Sequence, residues 1–218
     1  MRIIISIFVS FLTLSQASAQ VKKYKAVVNV LGSYYKGDVF VDLTGENKEM
    51  IKINFSGTID TGYAAKFIGL AGKKSPSVEL GTSVIVEIII AKDTFQFYDL
   101  LDTYQKKDES NRLKNCFVKK IAGKGNVRLY EWKNSAGEVK YYVAKPNEET
   151  LLNIHHPVFD DGSSLSLYFA FKSCKKMEER FIAESDQNEK YPFYKLTTTD
   201  EKLKVWKKLI EEYDLCKE

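Results

Sequence analysis

The sequence predicts an α+β protein, with an antiparallel β-rich body over residues 20–160 and two amphipathic C-terminal helices within 161–218. Two observations carry this. Residues 117–145 alternate in a period of two between turn signals, the mark of half-buried strands. Beyond residue 160 the apolar residues instead recur at steps of three and four, the spacing of a helix face.

The chain opens on Met1-Arg2, a 12-residue apolar run from Ile3 to Leu14, and Ala17-Ser18-Ala19. That order of charge, apolar run and small residues is the pattern of a signal peptide, with cleavage expected before Gln20. The run is too short for a helix crossing a hydrocarbon core of about 30 Å, which takes about 20 residues. No later segment is long and apolar enough to span a membrane, and no cysteine follows the cleavage site to carry a lipid. The expected location is periplasmic, outer-membrane-associated or extracellular. With Arg2 removed from the 33 basic residues, 32 stand against 29 acidic ones. So even a balance does not point to nucleic acid, which asks for a clustered basic face.

Residues 25–31 and 38–43 read as strands around a turn region from Gly32 to Gly37, and 50–55 alternates again. Residues 56–82 hold five glycines and read as loop. Ser83 to Ala91 is apolar on both faces, the pattern of a central strand covered on both sides. Thr94 to Phe97 follows as strand, with a helical reading of Phe97 to Tyr104 in competition; Gln105 to Asn115 is polar enough for a linker. In the three-stranded meander, Val127, Leu129 and Glu131 fall on one side of the middle strand, and Arg128, Tyr130 and Trp132 on the other. Val139, Tyr141 and Val143 likewise alternate with Lys140, Tyr142 and Ala144.

Asp160 to Ser164 leads into a helix whose stripe is Leu167, Phe171, Cys174, Met177 and Phe181. The last helix starts at a capping box, Thr198 and Glu201, and carries Leu203, Trp206, Ile210, Tyr213 and Cys216 on its stripe. Cys174 and Cys216 thus lie on faces that should meet. In an oxidising compartment they are the expected disulfide, with Cys116 left outside it; three buried thiols are the competing arrangement.

Few residues suggest chemistry. Asp60-Thr61-Gly62 resembles the active-site triplet of aspartic proteases, which need two such aspartates sharing a proton. Here there is one copy, followed by Tyr63 where that family usually has Ser or Ala, and Phe67-Ile68-Gly69 follows too soon. The same triplet is ordinary turn chemistry. His155 and His156, with Asp160 and Asp161, are metal-ligand types, but adjacent side chains in extended backbone point opposite ways. Gly123-Lys124-Gly125 leads into a strand and lacks the helix N-terminus of a phosphate cradle. No catalytic residue, metal ligand or cofactor is expected.

The second half resembles a group of uncharacterised exported proteins of Bacteroidetes-type bacteria over residues 116–218. The matching features are Val127-Arg128-Leu129-Tyr130, Tyr141 to Lys145, Cys174, and Tyr213-Asp214-Leu215-Cys216. The resemblance implies an envelope location and an α+β fold, and brings no activity with it. The expected function is an exported binding or structural module whose partner is an envelope or extracellular component, whether protein, glycan or lipid. The rival expectation is a secreted hydrolase with a site assembled from scattered residues, Asp60, His155 and His156 being the first suspects.

Overall fold

The alternating segments fold as strands in the computed structural model, which describes residues 21–46, 48–101, 112–144, 150–155, 171, 173–186, 196 and 198–216. The expected signal segment and linker residues 105–111 lie outside them, as does the polar stretch 160–164. In chain order the strands are β1 (Lys22–Val30), β2 (Ser33–Val41), β3 (Met50–Phe55), β4 (Ser77–Gly81), β5 (Ile85–Ile90) and β6 (Asp93–Leu101). They continue as β7 (Arg112–Ala122), β8 (Arg128–Lys133), β9 (Val139–Ala144) and β10 (Thr150–Asn153). The helices are α1 (Tyr63–Phe67), α2 (Lys175–Asp186) and α3 (Thr199–Asp214).

All ten strands join one sheet in the order β10-β9-β8-β7-β6-β5-β1-β2-β3-β4, and β10 also pairs with β6. Strand β6 is the spine. Its first residues pair with β5 (Ile88 with Phe95), and its last pair with β10 in parallel (Leu151 with Leu100). The opposite edge is taken by β7. Strands β6 to β10 thereby close into a five-stranded barrel, while β1 to β5 extend the sheet beyond it.

Side-chain alternation sorts the core into three clusters. Val28, Val39, Ile53 and Ile88 of the extended sheet share one cluster with Ala64 and Ala65 of α1 and with Ile59 and Leu70 beside it. Leu100, Val118, Tyr130, Trp132, Tyr142 and Leu151 fill the barrel. Val127, Leu129 and Val143 point the other way and meet Phe171, Met177, Phe181, Trp206 and Ile210. The helices therefore cover the outer face of the meander, on the side that Val127 and Leu129 define.

Several expectations are corrected. The first hairpin turns on Leu31 and Gly32 alone, both at positive φ (49° and 88°), so Ser33 to Gly37 are strand. Such two-residue turns match the twist of the flanking strands, and Asn29 Oδ1 accepts the Gly32 N–H at 2.9 Å. Residues 56–82 hold α1 and β4 as well as loop. Strand β5 is central, with Ile85 and Ile88 buried and Glu87, Ile89 and Ile90 half-buried, but Val86 is 47 % exposed: the register steps from Asn29 opposite Glu87 to Val30 opposite Ile85 and leaves Val86 as the extra residue of a bulge. Phe97 to Leu101 is strand, and β7 begins at Arg112, inside the expected linker.

The helix expected to run through Cys174 is interrupted there: Ser173 and Cys174 form a turn, and the Cys174 carbonyl accepts the Glu178 N–H as α2 begins. Cys174 then stands at the entry to α2 and Cys216 just past the end of α3. Their Cα atoms are 5.7 Å apart in a disulfide. Arg180 bonds Glu212 at 2.9 Å further along. Advancing along α2 thus means retreating along α3, the antiparallel packing of neighbouring helices. The capping box forms as expected, with Thr198 Oγ1 accepting the Glu201 N–H and Glu201 accepting the Thr198 N–H. On α3 the buried residues include Lys202 and Leu209, which the expected stripe omitted.

Candidate functional site

Helix α1 is turned inside out. Ala64 and Ala65 are buried, whereas Tyr63 and Phe67 are 74 % and 60 % exposed. An amphipathic helix ordinarily buries its large apolar residues. Here Ala64 and Ala65 belong to the same buried cluster as Ile53 and Phe55, while both rings stand in solvent. The rings are neighbours, one helical turn apart, with centroids at 6.1 Å and planes at 33°.

The surrounding chain holds this platform firmly. Asp60 Oδ1 accepts the Gly62 N–H at 2.8 Å, a local turn that delivers the chain into α1. Beyond the helix, Leu70 N–H donates to the Ala65 carbonyl at 2.8 Å, and Ile59 N–H to the Lys73 carbonyl at 2.9 Å. Thr58 bridges Lys74 at the base, and Ile59 and Leu70 are buried under the helix. Residues 56–76 therefore form a compact excursion between β3 and β4, the kind of packed surface loop that often carries function. Lys66, Lys73 and Lys74 are exposed on it.

The residues singled out from the sequence land apart. Asp60 is exposed on the turn before α1, above the first cluster. His155 is exposed after β10, beside Ile154 of the helix-covered cluster, with Nε2 at 3.0 Å from Thr199 Oγ1. Its backbone N–H donates to Asn153 Oδ1 at 2.8 Å. His156, Asp160 and Asp161 lie outside the described residues. Among the described residues no three His, Cys, Asp or Glu side chains are grouped to hold a metal ion.

Gly123-Lys124-Gly125 does form an anion cradle, and Asp214 fills it. The Asp214 carboxylate accepts the Lys124 N–H at 2.9 Å and the Gly125 N–H at 3.2 Å. Gly123 has φ 95°, and a Cβ there would meet the Val127 carbonyl oxygen at 2.4 Å, so only glycine fits. Ser173 and Tyr213 share a hydroxyl hydrogen bond in the same cleft, which encloses about 310 Å³ beside Cys216. Asp214 thus clasps this end of the helical pair to the β7–β8 turn, and the Cys174–Cys216 disulfide ties the two helices to each other.

Inside the barrel, the Tyr130 hydroxyl donates to Gln96 Oε1 at 2.6 Å and lies 3.4 Å from the Tyr98 hydroxyl. Burial, reinforced by Tyr98, raises the Tyr130 pKa well above the usual phenol range. Cys116 is buried in the same interior, outside the disulfide. These groups are sealed polar pairs within a packed core.

Comparison of the chain with protein-family models, with curated proteins and with solved structures finds no match. The exposed aromatic pair is the feature that reading the sequence missed. Its signal was present: Tyr63-Ala64-Ala65-Lys66-Phe67 places both rings at helical spacing with only alanine on the opposite side.

Proposed function

We propose that this chain is an exported, non-catalytic module of the cell envelope or extracellular space, and that it docks to its partner through Tyr63 and Phe67. The single observation carrying this reading is the inverted helix α1. Two rings standing in solvent on a hydrogen-bonded platform cost solvation free energy that burial against a partner recovers. The Cys174–Cys216 disulfide supports an oxidising compartment. The signal-peptide pattern of residues 1–19 and the resemblance of residues 116–218 to exported envelope proteins support the same location.

The test has two parts. Intact-mass measurement of the protein from the producing cells should find a chain starting at Gln20, outside the cytoplasm. Purified chain should bind an envelope fraction from those cells, and the double variant Tyr63→Ser/Phe67→Ser should fold normally and lose that binding about tenfold or more, the scale of two buried rings. Retention of residues 1–19 in a cytoplasmic pool, or equal binding by the double variant, contradicts the proposal.

A further inference from the structure

We infer that the surface met by α1 is an anionic lipid headgroup layer; this rests on the reading of α1 as the docking face and names its partner. The first argument is charge. Residues 56–76 carry Lys66, Lys73 and Lys74 against the single acid Asp60, a net of +2, while the full 218-residue chain carries only +4. All three lysines are exposed, and Lys66 lies between the two rings in sequence. Lysines near an anionic leaflet each strengthen binding about fivefold, and their long stems lie along apolar surface while the ammonium stays in water.

The second argument is shape. Tyr63 and Phe67 protrude, at 74 % and 60 % exposure, instead of lining a cleft. A convex pair suits a soft planar surface that closes around it, whereas a small ligand is held in a concavity. The third argument is chemical character. A phenol with an apolar body and a polar tip belongs at the headgroup level, where tyrosine is enriched, and the Phe67 ring beside it can enter the acyl boundary. Alanine at 64 and 65 leaves no other large apolar group on the helix, so the contact is shallow and reversible. No helix among the described residues is long and apolar enough to cross a membrane. The attachment is peripheral.

The experiment is co-sedimentation of the full, disulfide-intact chain with phosphatidylcholine vesicles and with vesicles of phosphatidylcholine and phosphatidylglycerol. The expected result is binding to the anionic vesicles that falls steeply between about 0.1 M and about 1 M salt as charges are screened. Tyr63→Ser/Phe67→Ser should lower that partition about tenfold or more. Lys66→Glu/Lys73→Glu should abolish the preference for anionic lipid, and Lys207→Glu, an exposed lysine on α3, should change partition less than about twofold. Equal binding to both vesicle types, or partition unchanged in the aromatic variant, overturns the inference. So does absence of vesicle binding, and if the aromatic variant still loses binding to the envelope fraction, the docking face stands with a protein or glycan partner. Loss of neither vesicle nor envelope binding in that variant overturns both readings.

Discussion

The indole N–H of Trp132 donates to the carbonyl of Gly45 at 3.0 Å, joining the barrel to the loop after β2. The Gly45 N–H returns a bond to the Lys133 carbonyl at 2.9 Å. Asp42 shapes that loop by accepting from Thr44 and from Lys48. The β1–β5 part of the sheet and the barrel are thus tied through this loop as well as through β6. Trp132→Phe removes the donor while keeping an aromatic ring, and should cost about 1–3 kcal/mol. Denaturation followed by far-UV and near-UV signals should keep coincident transitions at a lower midpoint. An unchanged midpoint contradicts the account.

The disulfide closes a loop with a sequence separation of 42 residues. Chain entropy gives such a bridge about 4 kcal/mol, so Cys174→Ser/Cys216→Ser should lower stability by roughly 2–4 kcal/mol. Peptide mapping without reductant should recover the 174–216 linkage, and Cys116 should alkylate only after unfolding, because it is buried. Rapid alkylation of Cys116 in the folded protein is the contrary result.

Asp214 closes the helical pair onto Lys124 and Gly125. Asp214→Ala removes the acceptor of both amides and should cost about 1–3 kcal/mol, with much faster hydrogen exchange at Lys124 and Gly125 than elsewhere in the β7–β8 hairpin. Uniform exchange across the hairpin contradicts this clasp.

Tyr130 gives the fold a sensitivity to alkali. Its pKa is raised above the model-compound value of 10.0, mainly by burial, so the folded state holds its proton where the unfolded chain releases it. The sign follows: the stabilisation is complete below about pH 10 and declines as pH rises beyond it. Tyr130→Phe has no phenol to ionise there and should show a shallower alkaline decline. At neutral pH it should be less stable by about 1–2 kcal/mol, because Gln96 loses a buried donor. Identical alkaline slopes for the two proteins sink this explanation.

Local signals in the sequence carried furthest where they were strongest. Strand β3 begins and ends with the alternation of Met50 to Phe55, and the Leu129/Tyr130 alternation assigns one side to the helices and the other to the barrel interior. Thr198 and Glu201 form the box their spacing announced. What escaped were features decided by distant partners. Four residues, Thr150 to Asn153, have no periodicity to read, and they become β10 only because β6 and β9 both have edges to offer. Leu31 is not a turn residue by type, yet it takes a positive φ in the tight hairpin. Val86 belongs to an apolar run, yet about half of it is open because it is the extra residue of a bulge, skipped between Glu87 and Ile85 in the pairing with β1. The candidate site was legible only in part: Tyr63 and Phe67 stand at helical spacing with alanine opposite, but that this five-residue helix buries its alanines and leaves its rings open is decided by the core beneath it.

The most direct test of docking through α1 is amide hydrogen exchange with and without saturating envelope fraction. The account predicts that bound protein gains protection across residues 59–73, centred on Tyr63 to Phe67, while β8, β9 and α3 exchange as before. Protection confined to the helical pair or to the barrel, with residues 59–73 unchanged, would contradict it.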